Sequence, residues 1–267
     1  MASLQGKVAI VTGAGSVGPG WGNGKATAVL LAREGASVLL LDIVEAAVAE
    51  TAAIIAGEGG VCAMRVCDML VAAEVEAAVA DCLGRFGGVD ILVNNVGGSH
   101  PGSPIDMPEE VWDRQIDFNL KTAFLGCKYV LPHMVARRSG AIVNLSSVAG
   151  LRILSGRTHS AYTASKAGII ALSKSVAITH AKDGVRCNTV VPGLMHTPLV
   201  EERLTKQLGV NDAAALIEKR HAQVPMGRMG DAWDIAHAVR YLVSDEARYV
   251  TATEIVVDGG LTAASPN

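Results

Sequence analysis

Two side chains one helical turn apart carry the most specific chemistry in this sequence. Tyr162 and Lys166 are four residues apart in "AYTASK", a spacing that places both on one face of a helix. A free tyrosine has a pKa of about 10, too high for a base at neutral pH. A lysine ammonium group beside the phenol stabilises phenolate and lowers that pKa. The pair therefore predicts a group that exchanges a proton with an alcohol or carbonyl oxygen.

The surroundings of this pair matter, because a Tyr and a Lys at this spacing also arise by chance. Ser147 follows the strand-like run Ala141–Leu145, and a hydroxyl there can hold a substrate oxygen against Tyr162. Lowering the phenol pKa by about 3 units requires roughly 4 kcal/mol of differential stabilisation. Two nearby cations in a partly desolvated site supply that much. We expect Lys166 to be one and the ring of an oxidised nicotinamide to be the other.

A glycine-rich turn near the N-terminus predicts the binding loop for such a cofactor. The stretch "TGAGSVGPGWGNGKATA" runs between an apolar strand-like run and a helical pattern. A backbone that approaches pyrophosphate closely has no room for Cβ atoms, and the following helix offers unpaired N–H groups. We expect Gly13 in the first tight turn, and Gly22 and Gly24 around Asn23 at the helix N-terminus. An ordinary flexible loop has a similar composition, so the flanking strand and helix favour the dinucleotide site.

The same turn is longer than one ligand requires. Gly15, Gly18 and Gly20, together with Pro19 and Trp21, form an enlarged loop. We expect this loop to build a lip over the pyrophosphate. Trp21 should be packed rather than exposed, because ordering an exposed indole among glycines is costly.

An acidic residue at the end of the second strand-like run distinguishes the possible cofactors. A carboxylate at Asp42 accepts hydrogen bonds from the adenosine ribose hydroxyls and repels a 2′-phosphate. Ile43 and Val44 follow it, and neither is a cation that would bind that phosphate. The sequence therefore predicts NAD rather than NADP, with Asp42 and Ile43 as contacts.

The composition limits the class of protein. Half of the 267 residues are hydrophobic, enough for one large α/β domain. The 23 Lys and Arg nearly balance the 26 Asp and Glu, giving a formal net charge of −3, which argues against non-specific nucleic-acid binding. No apolar run has membrane-spanning length, and the N-terminus lacks the pattern of a secretory signal. Five scattered cysteines favour reduced thiols, so we expect a cytoplasmic protein. From the charge balance and the lack of a long apolar run, we expect no nucleic-acid or membrane partners.

Short β-branched runs alternate with Ala-rich helical patterns along the chain. Most of the runs are apolar throughout, which suits strands covered on both faces. This alternation predicts βαβ units, hence an α/β fold with a parallel sheet. We expect one domain over residues 1–267, with an insertion at about 193–223. The predicted strands are Lys7–Thr12, Ser37–Asp42, Val61–Val66, Val89–Asn94, Ala141–Leu145, Val185–Val191 and Glu254–Val257.

The ordered motifs resemble those of the short-chain dehydrogenases/reductases, in their compact single-domain branch. The glycine turn resembles the family's Thr-Gly-x-x-x-Gly-x-Gly motif with five additional residues. "NNVG" at Asn94–Gly97 resembles Asn-Asn-Ala-Gly, and "VDGG" at Val257–Gly260 resembles the C-terminal signature. The resemblance implies a Rossmann-type doubly wound domain, a mostly parallel seven-stranded sheet with helices on both faces. It also implies oxidoreductase activity and a homo-oligomer, specifically a tetramer.

The resemblance also implies roles for individual residues. Ser147 rather than Ser146 would be the reactive serine, and Asn119 would anchor a water that relays protons to Lys166. Asp68 would meet the adenine, and Thr197 would hold the nicotinamide carboxamide. No metal is expected. The candidate catalytic residues are Ser147, Tyr162, Lys166 and Asn119, and the candidate cofactor residues are Gly13, Gly22, Asn23, Gly24, Asp42, Ile43, Asp68, Met69, Asn95, Gly97, Tyr162, Lys166, Pro192, Gly193 and Thr197.

These observations favour an NAD-dependent dehydrogenase or reductase of a small, mostly apolar secondary alcohol or its ketone. A 3-oxoacyl-thioester reductase shares every motif, but usually uses NADPH, which Asp42 disfavours. A non-catalytic dinucleotide-binding protein would be expected to lose Tyr162 or Lys166. The substrate should be set by the loops Gly98–Pro104, Gly150–Ser160 and Gly193–Gln223, where His100, His159 and His196 lie near the expected pocket mouth.

Overall fold

The computed structural model describes residues 4–153, 158–200, 202 and 213–264. Within them, seven strands form one sheet in which every neighbouring pair is parallel. The strands are β1 (Val8–Thr12), β2 (Ser37–Asp42), β3 (Cys62–Val66), β4 (Ile91–Asn94), β5 (Gly140–Leu145), β6 (Val185–Pro192) and β7 (Glu254–Val257). Their order across the sheet is β3-β2-β1-β4-β5-β6-β7.

Helices connect consecutive strands and cover both faces of the sheet. A π-helical turn, Asp117–Lys121, separates two of them, and a 3₁₀ turn, Val148–Gly150, follows β5. The helices are α1 (Asn23–Arg33), α2 (Glu45–Gly57), α3 (Ala72–Phe86), α4 (Glu109–Ile116), α5 (Thr122–Arg137), α6 (Ser160–His180), α7 (Ala213–Ala222) and α8 (Ala232–Val243).

Alternating side chains along the strands build a core on each face of the sheet. In β2, Val38 and Leu40 pack into a cluster that includes residues of α1 and α8, while Leu39 and Leu41 pack into a second cluster with residues of α3. All four side chains are buried. Burying each contributes about 1.5–3 kcal/mol relative to exposure. Two-sided burial explains why the strands are apolar throughout, and the predicted doubly wound fold is confirmed.

Predicted and observed strands differ mainly at their ends, and β4 shows why. The sequence predicts its start at Val89, whereas the strand begins at Ile91. The Asp90 carboxylate accepts hydrogen bonds from the Val8 N–H at 2.8 Å and from the Arg137 guanidinium at 2.9 Å. Side-chain acceptors of this kind are not visible to a periodicity argument.

The strand order places a crevice at the carboxyl end of the sheet. From β1 the chain moves toward β2 and β3, and from β4 it moves toward β5, β6 and β7. The loops after β1 and β4 therefore diverge to opposite sides. Open parallel sheets bind ligands where the connections diverge in this way.

Parts of the predicted substrate loops lie outside the described residues. These are residues 154–157 of the loop Gly150–Ser160, and residues 201 and 203–212 of the insertion. In the part of the chain that the structure covers, no helix is both long and apolar enough to cross a membrane. All five cysteines are free thiols.

Candidate active site

One cavity of about 1120 Å³ opens at the carboxyl ends of the strands. Its volume exceeds what a single drug-sized ligand needs, so a dinucleotide and a small substrate can share it. Every candidate residue except Asn119 lines it. They are Gly13, Gly22, Asn23, Gly24, Asp42, Ile43, Asp68, Met69, Asn95, Gly97, Ser147, Tyr162, Lys166, Pro192, Gly193 and Thr197.

Close backbone packing explains two of the glycines in the turn after β1. Gly13 has φ +62°, and a Cβ on Gly24 would overlap the Gly13 carbonyl oxygen. The Asn95 side chain fixes this arrangement, because its Nδ2 donates to the Gly13 carbonyl at 2.9 Å. The Asn95 backbone N–H also donates to Thr12 Oγ1 at 3.1 Å. The turn and the loop after β4 are therefore held together at the floor of the cavity.

The N-terminus of α1 fits an anionic phosphate group. Gly22 is its N-cap and provides no side chain to cap the helix. The first N–H groups of the helix and its positive dipole end therefore remain available to a ligand. Asn23 Oδ1 is buried without a hydrogen-bond partner among the described residues. The uncapped helix end suits an anionic group such as the predicted pyrophosphate, whereas the Asn23 oxygen, an acceptor, would need a ligand group that donates a hydrogen bond.

Asp42 is held in a fixed orientation at the rim of the same cavity. One carboxylate oxygen accepts the Gly15 N–H at 2.9 Å, and the other accepts the Val44 N–H at 3.0 Å. Each carboxylate oxygen has a further lone pair for a ribose hydroxyl. The neighbouring lining residues, Ile43 and Ala47, are apolar, so they add no charge that would attract a 2′-phosphate.

The enlarged loop lies at the border of the cavity, where Gly20 approaches the lining residue Pro198. Ser16 and Val17 line the cavity, but Gly18–Trp21 do not. Trp21 packs against Trp233 of α8, with ring centroids 4.7 Å apart and ring planes inclined by 56°, so its predicted packing is confirmed. Burying the indole against Trp233 removes apolar area from water. The expected lip over the pyrophosphate stays a prediction.

The buried side chain of Lys25 connects the enlarged loop to α2. Lys25 Nζ donates to the Gly20 carbonyl at 3.0 Å and to Glu50 Oε1 at 2.6 Å. It also lies 5.0 Å from the centroid of the Trp21 ring. We call Trp21, Lys25, Glu50 and Trp233 the loop clamp. Sequence patterns gave no sign of Lys25, because a lysine in the first turn of a helix usually faces solvent.

The candidate catalytic side chains converge between β5 and α6. Tyr162 and Lys166 lie on α6, and Lys166 Nζ is 5.7 Å from the centroid of the Tyr162 ring. Lys166 Nζ donates to the Leu145 carbonyl at 2.9 Å, which ties it to the end of β5. The Ser147 side chain hydrogen-bonds Tyr162. A serine hydroxyl, a phenol and an amine therefore face one another at the wall of the cavity.

Ser146, the residue before Ser147, makes different hydrogen bonds. The Ser146 hydroxyl donates to the Lys166 backbone carbonyl at 2.7 Å and is buried. Ser147 Oγ instead accepts the Ala149 N–H at 3.2 Å and contacts Tyr162. The role of Ser147 as the reactive serine stays a prediction.

Asn119 is fully buried and acts on the loop after β4. Its Nδ2 donates to the Gly98 carbonyl at 3.0 Å, and its Oδ1 accepts the Gly98 N–H at 3.1 Å. A Cβ on Gly97 would lie 2.6 Å from Asn119 Oδ1 and 3.0 Å from Lys166 Nζ. Asn119 and Lys166 therefore approach each other across Gly97. The water relay expected of Asn119 stays a prediction.

The ionisation of the pair differs from the sequence-based expectation. Burial raises the pKa of Tyr162, although the hydrogen bond from Ser147 opposes this. Burial also lowers the pKa of Lys166 to about 7. The chain by itself thus favours neutral phenol and partly neutral amine, because both groups lose water and Lys166 forms no ion pair with a described carboxylate. The expected lowering of the Tyr162 pKa therefore needs a further positive charge that the described part of the protein does not supply, such as the ring of an oxidised nicotinamide.

The cavity lining also contains apolar and cationic side chains outside the predicted site. Leu194, Met195 and Leu199 are among the apolar residues that line it. Three cations that the sequence motifs do not identify also line it, namely Arg152, Lys219 and Arg220. Of the three loop histidines, His159 lines the cavity, whereas His100 and His196 do not. The available signal was their position in predicted substrate loops, since Arg152 lies in Gly150–Ser160 and Lys219 and Arg220 lie in Gly193–Gln223.

No group of three His, Cys, Asp or Glu residues with metal-binding geometry occurs within the described ranges.

Comparisons with known proteins find relatives over nearly the whole chain. A family model described as enoyl-(acyl carrier protein) reductase matches residues 19–262. The chain is 37% identical over 262 residues to the oxidoreductase UcpA of Salmonella typhimurium, covering 98% of this chain and 97% of the relative. It is 39% identical over 261 residues to the 2-(R)-hydroxypropyl-CoM dehydrogenase of Xanthobacter autotrophicus, covering 96% and 99%.

A solved structure from Burkholderia xenovorans, described as a short-chain dehydrogenase/reductase, is 48% identical, covers 99% of both chains and superposes with a TM-score of 0.91. The match extends over the sheet, the glycine turn and the Tyr162–Lys166 helix alike. The chain therefore belongs to the short-chain dehydrogenase/reductase family of oxidoreductases.

Proposed function

We propose that this protein is an NAD(H)-dependent dehydrogenase of small secondary alcohols, or a reductase of the corresponding ketones. One observation carries the proposal: Ser147, Tyr162 and Lys166 line the same cavity as the uncapped N-terminus of α1. A proton-transfer group and a phosphate-binding helix end are thereby placed in one space. The relative from Xanthobacter autotrophicus is named for a 2-hydroxypropyl compound, a secondary alcohol, which supports the proposed substrate class.

The chain's residues divide the proton chemistry among themselves. A bound nicotinamide cofactor supplies or accepts the hydride. Tyr162 takes the proton of the substrate hydroxyl during oxidation and returns one to the oxygen during reduction. Ser147 donates a hydrogen bond to that oxygen and fixes its distance from the phenol. The Lys166 amine stabilises phenolate when protonated, and Asn119 keeps the Gly97–Gly98 backbone in place beside it.

Asp42 supports NAD as the partner. Its carboxylate is fixed by two backbone N–H groups and lines the cavity. A cofactor with a phosphate on the adenosine ribose would bring two negative charges together here. Measured NAD and NADP turnover on the same alcohol tests this choice directly.

The substitution Tyr162→Phe tests the proposed mechanism. We expect turnover of a secondary alcohol with NAD to fall at least about 10³-fold, because the proton acceptor is removed. Binding of NADH, followed by its fluorescence, should remain close to wild type. Tyr249→Phe is the matched control, since Tyr249 is exposed and does not line this cavity. Equal turnover in the Tyr162→Phe and wild-type proteins would contradict the mechanism.

Two other functions remain testable alternatives. A relative from Thermotoga maritima, 36% identical over 258 residues, is named a 3-oxoacyl-[acyl-carrier-protein] reductase, which favours a 3-oxoacyl-thioester reductase as the second candidate. That reading predicts faster turnover of an acetoacetyl thioester with NADPH than of any simple alcohol with NAD. A non-catalytic dinucleotide-binding protein would be indifferent to Tyr162→Phe in every assay.

The assembly and the compartment follow from family expectation and composition. We expect a homotetramer in the cytoplasm. Light scattering on the purified protein tests the assembly, and fractionation of cells that express the chain tests the compartment.

A further inference from the structure

The structure points to a more specific substrate: we propose that the secondary alcohol carries an anionic group, a carboxylate or sulfonate, that binds Arg152, one of the cations that line the cavity. The inference rests on the proposed function and refines it. An apolar wall suits the body of the substrate, and the cations suit its remote end.

Arg152 is positioned by the chain rather than free in solution. Its Nη1 donates to the Thr262 carbonyl at 2.6 Å and to the Ala264 carbonyl at 2.9 Å. These two backbone contacts near the C-terminal end of the described chain fix the guanidinium at the cavity wall. The Nε and Nη2 atoms make no hydrogen bond to described residues. A guanidinium with one nitrogen anchored and the others open can bind an oxyanion through two N–H groups.

The charges that line the cavity are distributed unevenly. Arg152, Lys219 and Arg220 all line it, and Arg220 is a buried cation. Of the described lining carboxylates, Asp42 and Asp68 follow β2 and β3, where the adenosine half of the cofactor is expected. The remaining one, Asp106, accepts hydrogen bonds from the Ser103 N–H at 2.6 Å and the Ser103 hydroxyl at 2.7 Å. Among the described lining residues outside the expected adenosine end, Arg152 and Lys219 alone outnumber the single carboxylate, Asp106.

The chain connects Arg152 directly to the reaction centre. Arg152 is five residues beyond Ser147, and the 3₁₀ turn Val148–Gly150 links them. The Arg152 N–H donates to the Val148 carbonyl at 2.9 Å, which stiffens this link. A group bound by Arg152 and an oxygen bound by Ser147 can thus belong to one short molecule. Binding the remote group would orient the carbon that reacts.

Matched substrates that differ only in charge test the proposal. The pairs are 3-hydroxybutanoate, 4-hydroxypentanoate and 5-hydroxyhexanoate, each against its own primary amide, with a sulfonate analogue as an additional arm. We expect kcat/KM for the best acid to exceed that of its amide by about tenfold or more, mainly through KM. Added salt should reduce this preference. The chain length with the largest preference reports the distance between the two binding points.

Three variants identify the cation responsible. In Arg152→Gln, the acid-to-amide ratio of kcat/KM should fall toward one, and in Lys219→Gln it should fall by a smaller factor. Lys219→Gln does not disturb the contacts to Thr262 and Ala264, so it covers the case in which Arg152→Gln fails to fold. Lys174→Gln is the control, because Lys174 is paired with Glu254 outside this cavity. Its ratio should stay within about twofold of wild type.

The outcomes separate this proposal from the proposed function. Equal turnover of acids and amides would overturn the anionic substrate while leaving the dehydrogenase intact. If no alcohol of the series reacts, binding is tested instead. The melting temperature of the Tyr162→Phe variant is measured with NAD and each acid or amide in turn. Stabilisation by the acids but not by the amides, lost in the Tyr162→Phe/Arg152→Gln double variant, supports the anion site without activity. Stabilisation that is equal for acids and amides overturns it.

Discussion

Lys25 and Lys166 are both buried helical lysines, but their surroundings differ. Lys25 is 2% exposed and contacts a carboxylate, Glu50, at 2.6 Å, together with the Gly20 carbonyl and the Trp21 ring. Lys166 is 4% exposed and donates to the Leu145 carbonyl, with no described carboxylate paired to it. The first cation is matched by an anion within the fold, and the second is not.

The comparison suggests why Lys25 would stabilise the fold, whereas Lys166 would take part in the proposed reaction. A buried cation that is paired with a carboxylate holds its neighbours in place, but the carboxylate cancels most of its electrostatic effect on other groups. An unpaired one is costly to bury, and its burial lowers the pKa of Lys166 to about 7. Proteins keep such costly groups where function needs them. Lys166 Nζ lies 5.7 Å from the centroid of the Tyr162 ring, and under the proposed mechanism its protonated form favours phenolate there.

The largest expected effect separates the two lysines in turnover. Lys166→Met should lower kcat for alcohol oxidation by about 10²–10⁴-fold, because phenolate loses the nearby ammonium group. Lys25→Met should change kcat by less than about tenfold, while lowering the melting temperature. Steady-state kinetics and thermal unfolding of both variants test this contrast. If the two variants lose turnover equally, the distinction between the lysines is wrong.

The second prediction concerns how stability depends on pH. Unfolded Lys166 binds a proton up to its ordinary pKa near 10.5, whereas the folded group releases it near pH 7. Between these values the unfolded chain holds more protons, so the free energy of unfolding rises with pH. Relative to Lys166→Met, the wild type should gain about 1–2 kcal/mol between pH 7 and pH 9. Urea unfolding of the protein without cofactor measures it, and parallel curves would refute the buried, unpaired amine.

The third prediction tests the loop clamp that surrounds Lys25. Trp21→Ala removes the stacking on Trp233 and the face that Lys25 contacts. Because Trp21 is only half-buried, we expect a loss of about 1–2 kcal/mol of stability, less than for a core tryptophan. NAD affinity should weaken severalfold, since the loop continues into Gly22 and α1. Trimming Val17–Trp21 should weaken NAD binding further while the fold persists, and unchanged affinity would show that the loop is independent of the cofactor site.

The smallest expected effect is a change of cofactor preference. Asp42→Ser removes the carboxylate that repels a 2′-phosphate but keeps a group that accepts the Gly15 N–H. The ratio of kcat/KM for NAD to that for NADP should fall by about tenfold, or roughly 1.4 kcal/mol. Asp106→Ser, a cavity aspartate outside the predicted adenosine end, is the control. A ratio that is unchanged in Asp42→Ser would exclude this residue as the determinant.

Several features of the site could be predicted from the sequence because local spacing determines them. Tyr162 and Lys166 share a helix face at a four-residue spacing, and Gly13 and Gly24 flank a strand-to-helix turn. Asp42 ends a strand, so its position at the sheet edge follows from the strand itself. The enlarged loop was visible as extra residues, but its direction was not, because Trp233 is distant in sequence.

The sequence alone determined the alternation of strand and helix, the apolar strands and the motifs that occupy their ends. These are local properties, set by periodicity and by the few residues that a turn accepts. Tertiary structure decided which charges are paired: Lys25 with Glu50, Arg152 with the carbonyls of Thr262 and Ala264, and Lys166 with no described carboxylate. Burial and pairing depend on residues far apart in the chain, so only the folded arrangement sets the ionisation of the site.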